Sequence, residues 1–189
     1  MRRDERIRAF LALEVPAEIK RRLADEAGAV RRELPTARWT RPEGQHLTLK
    51  FLGEVAPAVV DDLVRGLTPR LAGSGPVRVH LRGSGFFPSP KRPRVAWVGG
   101  AAEGADVVVA AVEDEAEVLG FARERRAWSL HLTQARFNRP WPQAAVARFL
   151  EWGNHLALGP FRCSEVVVFA SERRPGGAVY TPLVRIPLG

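Results

Sequence analysis

Apolar residues along this chain follow two different spacings, which together predict a mixture of strands and helices. Short runs dense in branched aliphatic residues predict strands, and apolar residues that recur every three or four positions predict amphipathic helices. The predicted strands cover residues 7–15, 37–40, 46–53, 77–83, 94–99, 129–137, 161–171 and 178–187. The predicted helices cover residues 17–34, 57–71, 106–119 and 143–156.

The order of these elements favours an α+β fold over a doubly wound parallel sheet. The strands at 77–83 and 94–99 are close enough in sequence to pair as a hairpin, and so are the last two predicted strands. Hairpin neighbours pair antiparallel, so we expect mainly antiparallel sheets. Each half of the chain also carries helices and one strand with the same motif. We therefore predict one domain over residues 1–189 that consists of two similar lobes around a cleft.

The shared motif is the tripeptide His-Leu-Thr, which begins at positions 46 and 131 of a chain with only four histidines. Side chains alternate between the two faces of a strand. His46 and Thr48 therefore share one face, and His131 and Thr133 share one face of the second strand. The repetition predicts a duplicated unit that brings two imidazoles and two hydroxyls to one place.

Two histidines that face one cleft can act as general acid and general base. An imidazole titrates near ~6.5, so one can be protonated at neutral pH while the other is not. In phosphodiester hydrolysis, one imidazole deprotonates the attacking oxygen and the other protonates the leaving alkoxide. Threonine hydroxyls and a nearby arginine can stabilise the charge that develops on the phosphate. A strained 2′,3′-cyclic phosphate suits this chemistry, which needs no metal and no cofactor.

The charge of the chain favours a polyanionic partner such as RNA. The formal net charge is +8, from 29 lysines and arginines against 21 acidic residues, and almost all of the basic residues are arginines. Arginine binds phosphate through two parallel hydrogen bonds, which suits an RNA partner. The alternative explanation of the basic charge is that the arginines lie on solvated helix faces.

The single cysteine, Cys163, excludes an intramolecular disulfide and a cysteine-based zinc site, and it is compatible with a reducing cytosol. No signal-peptide core is present, and no apolar run approaches the about 18 residues that a membrane span needs. We expect a cytoplasmic monomer that does not contact membranes.

The first motif extends over eight residues, HLTLKFLG at positions 46–53. Together with the second motif and the stretches at 10–13, 85–88 and 171–180, it resembles the 2H phosphoesterase superfamily. Within that superfamily it is similar to the RNA 2′,3′-cyclic phosphodiesterase family, formerly described as 2′-5′ RNA ligases. The resemblance spans essentially the whole chain. It implies a bilobal α+β fold with pseudo-twofold symmetry, with antiparallel sheets lining a central cleft and helices outside.

The resemblance also implies a substrate and the roles of five residues. The substrate is RNA or an oligonucleotide that ends in a 2′,3′-cyclic phosphate, and the product carries a 2′-phosphate. His46 would be the general acid to the departing 3′ oxygen, and His131 the base that activates water. Thr48 and Thr133 would bind phosphate oxygens, and Arg136 occupies the arginine position of the second motif. No metal and no cofactor are implied.

Strict alternation along each strand also predicts the faces of the residues that follow the threonines. It turns Arg136 away from the face of the second histidine, and it places Lys50 on the phosphate side with Phe51 on the opposite face. The second motif of the family also often has a leucine where this chain has Gln134.

Other candidates and alternative functions stay open at the level of sequence. Trp39, Phe87 and Trp141 are candidates for stacking on bases, although burial is the more frequent role of tryptophan. A metal site at the two histidines would need a third ligand, and neither motif has one at close spacing. The alternative functions are a 2′-5′ RNA ligase or phosphodiesterase activity at the same site, and a non-catalytic RNA-binding module.

Overall fold

The computed structural model describes residues 6–175 and 177–189, and within them the predicted α+β class is confirmed. The helices are α1 (Ala17–Glu33), α2 (Pro57–Leu71), α3 (Ala105–Val118) and α4 (Gln143–His155). The strands are β1 (Ile7–Glu14), β2 (Arg38–Trp39), β3 (His46–Val55), β4 (Val77–Phe87), β5 (Val95–Glu103), β6 (Leu132–Arg136), β7 (Ala157–Cys163), β8 (Glu165–Arg174) and β9 (Gly177–Pro187). A short 3₁₀ helix, Pro42–Gly44, precedes β3.

The strands form two antiparallel sheets, and each sheet carries one copy of the motif. The first sheet has the order β3-β1-β8-β9, and the second has the order β2-β6-β5-β4-β7. The two predicted hairpins are present as the pairs β4–β5 and β8–β9. The first motif lies on the edge strand β3. The second lies at the interior strand β6, which begins at Leu132, one residue after His131 and later than predicted, so the two lobes are similar but not equivalent.

The prediction of a single strand over 161–171 is wrong. β7 ends at Cys163 and β8 begins at Glu165, and the two strands belong to different sheets. Buried apolar residues continue through both strands. The pattern of apolar residues therefore does not indicate that the chain passes from one sheet to the other at Ser164.

Apolar side chains pack both sheets against the helices. Residues 60, 63, 67 and 71 of α2 are buried at helical spacing. They join the main core with apolar residues of α3 and of one face of β1. A second core forms between α1, α4 and the second sheet. On the other face of β1, Phe10 belongs to a small aromatic cluster that faces the cleft.

Cys163 is a buried free thiol, and burial raises its pKa to about 12. The sulfur is therefore protonated at neutral pH and offers no thiolate for chemistry. Among the residues described above, no helix is both long and apolar enough to cross a membrane.

Candidate active site

The first motif lies on β3, where a β-bulge interrupts the regular alternation of side chains. Two consecutive residues of β1 pair with Thr48 and Lys50, so Leu49 is an extra residue without a partner on β1. An extra residue reverses the faces of the side chains that follow it, here up to a second irregularity at Leu52. Lys50 therefore turns into the protein interior, and Phe51 returns to the face of His46.

The predictions for Lys50 and Phe51 are wrong for this reason. Lys50 is only 2 % exposed. Its ammonium donates hydrogen bonds to the Glu113 carboxylate at 2.7 Å and to the Ala122 carbonyl at 2.8 Å, so it stabilises the fold beneath β3 instead of extending the phosphate surface. Phe51 is 56 % exposed, and its ring lies 5.7 Å from the ring of Phe10 at the cleft.

The second motif contains a bulge at the equivalent position. Two consecutive residues of β5 pair with Thr133 and Ala135, which leaves Gln134 without a partner on β5. Gln134 and Leu49 both lie three positions after the histidine of their motif. Arg136 consequently shares the face of Thr133. The expectation from strict alternation, which turned Arg136 to the opposite face, is therefore wrong.

Gln134 also links the two motifs through buried polar contacts. Its backbone carbonyl accepts a hydrogen bond from the Thr40 amide at 2.8 Å. Its side chain donates to the Leu132 carbonyl at 3.2 Å and accepts a long hydrogen bond of 3.5 Å from Gln45, the residue before His46. A leucine at position 134 would make none of these side-chain contacts.

A second link joins the motifs through the segment that leads into β6. The indole nitrogen of Trp128 donates to the Thr48 carbonyl at 2.8 Å, and Trp128 lies three residues before His131. The backbone amide of Glu124 donates to the Glu113 carboxylate that also binds Lys50. These contacts hold the segment that leads into the second motif against β3, the strand of the first motif.

Both histidines are oriented by the same backbone contact. The Nδ1 atom of His46 lies 2.9 Å from the Gly44 carbonyl oxygen, and Nδ1 of His131 lies 3.0 Å from the Ser129 carbonyl oxygen. A carbonyl oxygen only accepts hydrogen bonds, so each Nδ1 carries the proton. Nε2 of each imidazole is then the ring nitrogen that is left for other partners.

The surroundings of the two imidazoles differ. The ring of His46 lies 4.7 Å from Phe10, 4.9 Å from Tyr180 and 5.9 Å from Phe169. Tyr180 belongs to β9, which lies at the opposite edge of the sheet from β3, so the first sheet curls around His46. The ring of His131 has an edge contact with Phe87 at 5.1 Å.

Burial within the curled sheet lowers the pKa of His46 to about 4. The hydrogen bond to the Gly44 carbonyl raises this pKa, and the positive charges of Lys20, Arg136 and His131 lower it further. The influence of Arg136 and His131 shows that groups of the second motif act on the histidine of the first. His46 is therefore neutral at pH 7 in the free protein.

This lowered pKa predicts a pH-dependent stability. In the unfolded chain His46 binds its proton near pH ~6.5, whereas in the folded protein it does so at about pH 4. As the pH falls from 6.5 to 4 the unfolded state gains the proton first, so the free energy of unfolding decreases. The loss due to His46 should reach about 3 kcal/mol below pH 4.

Urea unfolding of the wild-type protein and of His46→Gln between pH 7 and pH 4 measures this effect. The variant should lose about 3 kcal/mol less than the wild type over this range. The same pH dependence in both proteins would contradict the assignment.

The structure corrects two of the aromatic candidates. Trp141 is 4 % exposed, and its ring lies 6.0 Å from Trp39 in the second core. The Arg31 guanidinium covers the Trp39 ring at 4.8 Å. Neither tryptophan is available for stacking on a base. Phe87 lies beside His131, with its ring centroid 5.1 Å away, and its stacking on a base stays a prediction.

The cleft opens into a groove of about 1120 Å³, with a lining that includes Thr48, Phe51, Trp97, Trp128 and His131. Sequence reasoning missed Phe51 and Trp128. The sequence did offer a way to identify Phe51. It lies five residues after His46, just as Arg136 lies five residues after His131.

The residues of the two motifs can support phosphoryl transfer by proton movement. His131 and Thr48 line the groove, and His46, Thr133 and Arg136 belong to the same two motifs. The two imidazoles, the two half-buried threonines and the exposed guanidinium are groups that can act as acid, base and anion-binding donors. Within residues 6–175 and 177–189, no three His, Cys, Asp or Glu side chains group together as metal ligands.

Comparisons with known proteins show which family this chain resembles. A family model described as LigT like phosphoesterase matches residues 13–97. A Thermus thermophilus protein named RNA 2′,3′-cyclic phosphodiesterase is 34% identical over 195 residues, covering 96% of this chain and 90% of that protein.

Two solved structures share the fold over nearly the whole chain. The crystal structure of TT0787 from Thermus thermophilus has a TM-score of 0.80 at 26% identity and covers 96% of this chain and 98% of its own. The crystal structure of LigT from E. coli in complex with 3′-AMP has a TM-score of 0.72 at 25% identity, with coverages of 97% and 99%. The resemblance inferred from the two motifs is thus confirmed, and the chain belongs to the LigT-like phosphoesterase family of enzymes.

Proposed function

We propose that this protein hydrolyses the 2′,3′-cyclic phosphate ends of RNA or oligonucleotides to 2′-phosphomonoesters without a metal ion. The observation that carries the proposal is the pair of imidazoles that are anchored in the same way, each at Nδ1 by a carbonyl two residues earlier. The name of the Thermus thermophilus relative supports the choice of a 2′,3′-cyclic phosphate.

The reaction requires two proton transfers and one exchange of bonds at phosphorus. Nε2 of His131 takes a proton from a water molecule as the water oxygen attacks the phosphorus atom. The bond from phosphorus to O3′ breaks, and Nε2–H of His46 gives its proton to O3′. The phosphate stays on O2′ as a monoester. The proton on His131 then returns to solvent, and His46 regains one.

Three further groups stabilise the charge on the phosphate in this scheme. The hydroxyls of Thr48 and Thr133 donate hydrogen bonds to its non-bridging oxygens, and the Arg136 guanidinium donates two parallel hydrogen bonds. Both threonines lie on the same face as the histidine of their motif, and the bulge at Gln134 brings Arg136 to that face. The exposed ring of Phe51 offers a flat apolar surface for the terminal base.

The lowered pKa of His46 fits the acid role when the charge of the substrate is included. His46 is neutral at pH 7 in the free protein. A phosphodiester anion beside the ring stabilises the imidazolium and raises the pKa. His46 therefore acquires its proton together with the substrate.

Product analysis tests the proposal directly. A short oligonucleotide with a 2′,3′-cyclic phosphate end should be opened in the presence of excess EDTA at the same rate as without it. Nuclear magnetic resonance or digestion by a phosphatase of known specificity should identify the product as a 2′-phosphate.

Three outcomes would overturn the proposal. A product with a 3′-phosphate contradicts the assigned direction of ring opening. A rate that EDTA abolishes and a divalent metal restores contradicts metal independence. Binding of the oligonucleotide without any product would favour the non-catalytic RNA-binding module.

A further inference from the structure

Arg38 and Arg136 lie directly opposite each other on neighbouring strands. Arg38 of β2 pairs with Arg136 of β6 in the second sheet. Side chains of directly opposed residues project from the same face of a sheet, with Cβ atoms about 4.5–5.5 Å apart. The bulge at Gln134 turns Arg136 to the cleft, so Arg38 projects from the cleft face as well.

Across residues 6–175 and 177–189, neither guanidinium is neutralised by a carboxylate. Seven other arginines of the described chain form ion pairs with acidic side chains, at positions 65, 70, 78, 123, 148, 174 and 185. Over the same residues, no carboxylate lies within ion-pair distance of Arg38 or Arg136, and both side chains are exposed. Like charges placed directly opposite each other destabilise a sheet, so this arrangement costs stability unless an anion binds between or beside them.

Arg38 also lies at the rim where the two sheets meet. A methyl group built on Gly177 of β9 would lie 3.8 Å from Cδ of Arg38, so a strand of the first sheet reaches this arginine of the second. The positive charge of Arg136, the partner of Arg38, lowers the pKa of His46. Arg38 therefore extends the positive surface outward from the catalytic histidines along the cleft.

We propose that Arg38 binds the phosphodiester on the 5′ side of the terminal nucleotide and so makes the enzyme prefer oligonucleotide ends over cyclic mononucleotides. This inference rests on the proposed function. One guanidinium binds one phosphate through two parallel hydrogen bonds, so two guanidiniums side by side match two consecutive phosphates of one strand. A cyclic mononucleotide has a single phosphate, which Arg136 binds, and it leaves Arg38 without a ligand.

The experiment compares two substrates in two variants. The substrates are a 2′,3′-cyclic mononucleotide and a trinucleotide with the same terminal base and a 2′,3′-cyclic phosphate. In Arg38→Ala, kcat/KM for the trinucleotide should fall at least about tenfold more than kcat/KM for the mononucleotide, mainly through KM, because hydrogen bonds to a charged group are lost. Arg65→Ala removes the same charge from α2, away from the cleft, and should leave both values unchanged.

Two further measurements separate a bound phosphate from a general charge effect. Arg38→Lys keeps the charge but loses the planar fork, so it should recover only part of the preference for the trinucleotide. The slope of log(kcat/KM) for the trinucleotide against log[salt] should become shallower by about 0.7 in Arg38→Ala, the value for one phosphate of a single strand.

Each outcome decides the inference. An equal loss with both substrates would place Arg38 on the terminal phosphate and overturn the inference, and so would no loss with either substrate.

If the wild-type protein hydrolyses neither substrate, the proposed function fails. Calorimetric binding of a nucleoside 2′-phosphate and of a trinucleotide with a 2′-phosphate end then tests Arg38 independently. A weaker affinity of Arg38→Ala for the trinucleotide alone supports the inference, and any other pattern contradicts it.

Discussion

Replacing either His46 or His131 by alanine should lower kcat for a 2′,3′-cyclic phosphate end by about 10²- to 10⁴-fold, the range of general acid–base catalysis. Each imidazole is held at Nδ1 by a backbone carbonyl, and in the proposed reaction each moves a different proton. Loss of one histidine leaves one proton transfer to water. The double variant should be little slower than the slower single variant, because the two groups act as a unit.

The chain provides matched controls in its two remaining histidines. His80 lies on β4 and His155 ends α4, and neither belongs to the motifs. His80→Ala and His155→Ala should keep kcat within about twofold of the wild type, since most substitutions away from a site have small effects. Urea unfolding at pH 7 should show that the two active-site variants are folded.

Single-turnover kinetics would locate the effect in the chemical step. A folded His46→Ala or His131→Ala variant with near-normal single-turnover rates would refute the acid–base assignment. A fall in the His131 variant alone would restrict catalysis to one imidazole and leave His46 with a binding role.

Replacing Arg136 by alanine should lower kcat by about 10²- to 10³-fold, the loss typical of a donor that stabilises a developing anion. The expectation depends on the bulge at Gln134, because that extra residue turns Arg136 to the face of Thr133. Without the bulge the guanidinium would lie behind the sheet, and its removal would have little effect on rate.

Arg136→Ala should also change the acid–base behaviour of His46. The positive charge of Arg136 lowers the pKa of His46, so its removal should raise that pKa. Nuclear magnetic resonance titration of the free protein can follow the imidazole of His46 directly. Arg136→Lys keeps the charge and should leave this pKa close to that of the wild type while it still loses rate, because the ammonium cannot bind the phosphate through a planar fork.

The control for this prediction is Arg65→Ala, an exposed arginine on α2 whose ion pair with Asp62 is on the surface. It should change neither the rate nor the pKa of His46. A loss of less than about threefold in Arg136→Ala would refute the anion-binding role, since even one charge-assisted hydrogen bond is worth more than that. Equal losses with the mononucleotide and the trinucleotide would distinguish Arg136 from Arg38.

The sequence by itself determined the fold class, the two motifs and the pairing of each histidine with its threonine. These features are local, because a threonine two positions after a histidine shares its face on any regular strand. The duplication then made a common cleft the simplest arrangement. The four helices could also be predicted from the sequence, since each has its apolar residues at helical spacing.

The positions of Lys50, Phe51 and Arg136 were decided only by the tertiary structure. Each follows a bulge, and a bulge is defined by the partner strand, since Leu49 and Gln134 are extra only by comparison with β1 and β5. The sequence of one strand does not show how many residues of the partner strand pair with it.

Burial and charge were also determined by contacts between distant segments. The pKa of His46 is low because β9 curls back to place Tyr180 against its ring. Arg38 faces Arg136 because β2 and β6, almost a hundred residues apart in sequence, are neighbours in the sheet. The sequence alone therefore identifies the two histidines that we propose as the acid and the base. The packing of distant strands sets the pKa of one of them and brings two arginines to the same side of the cleft.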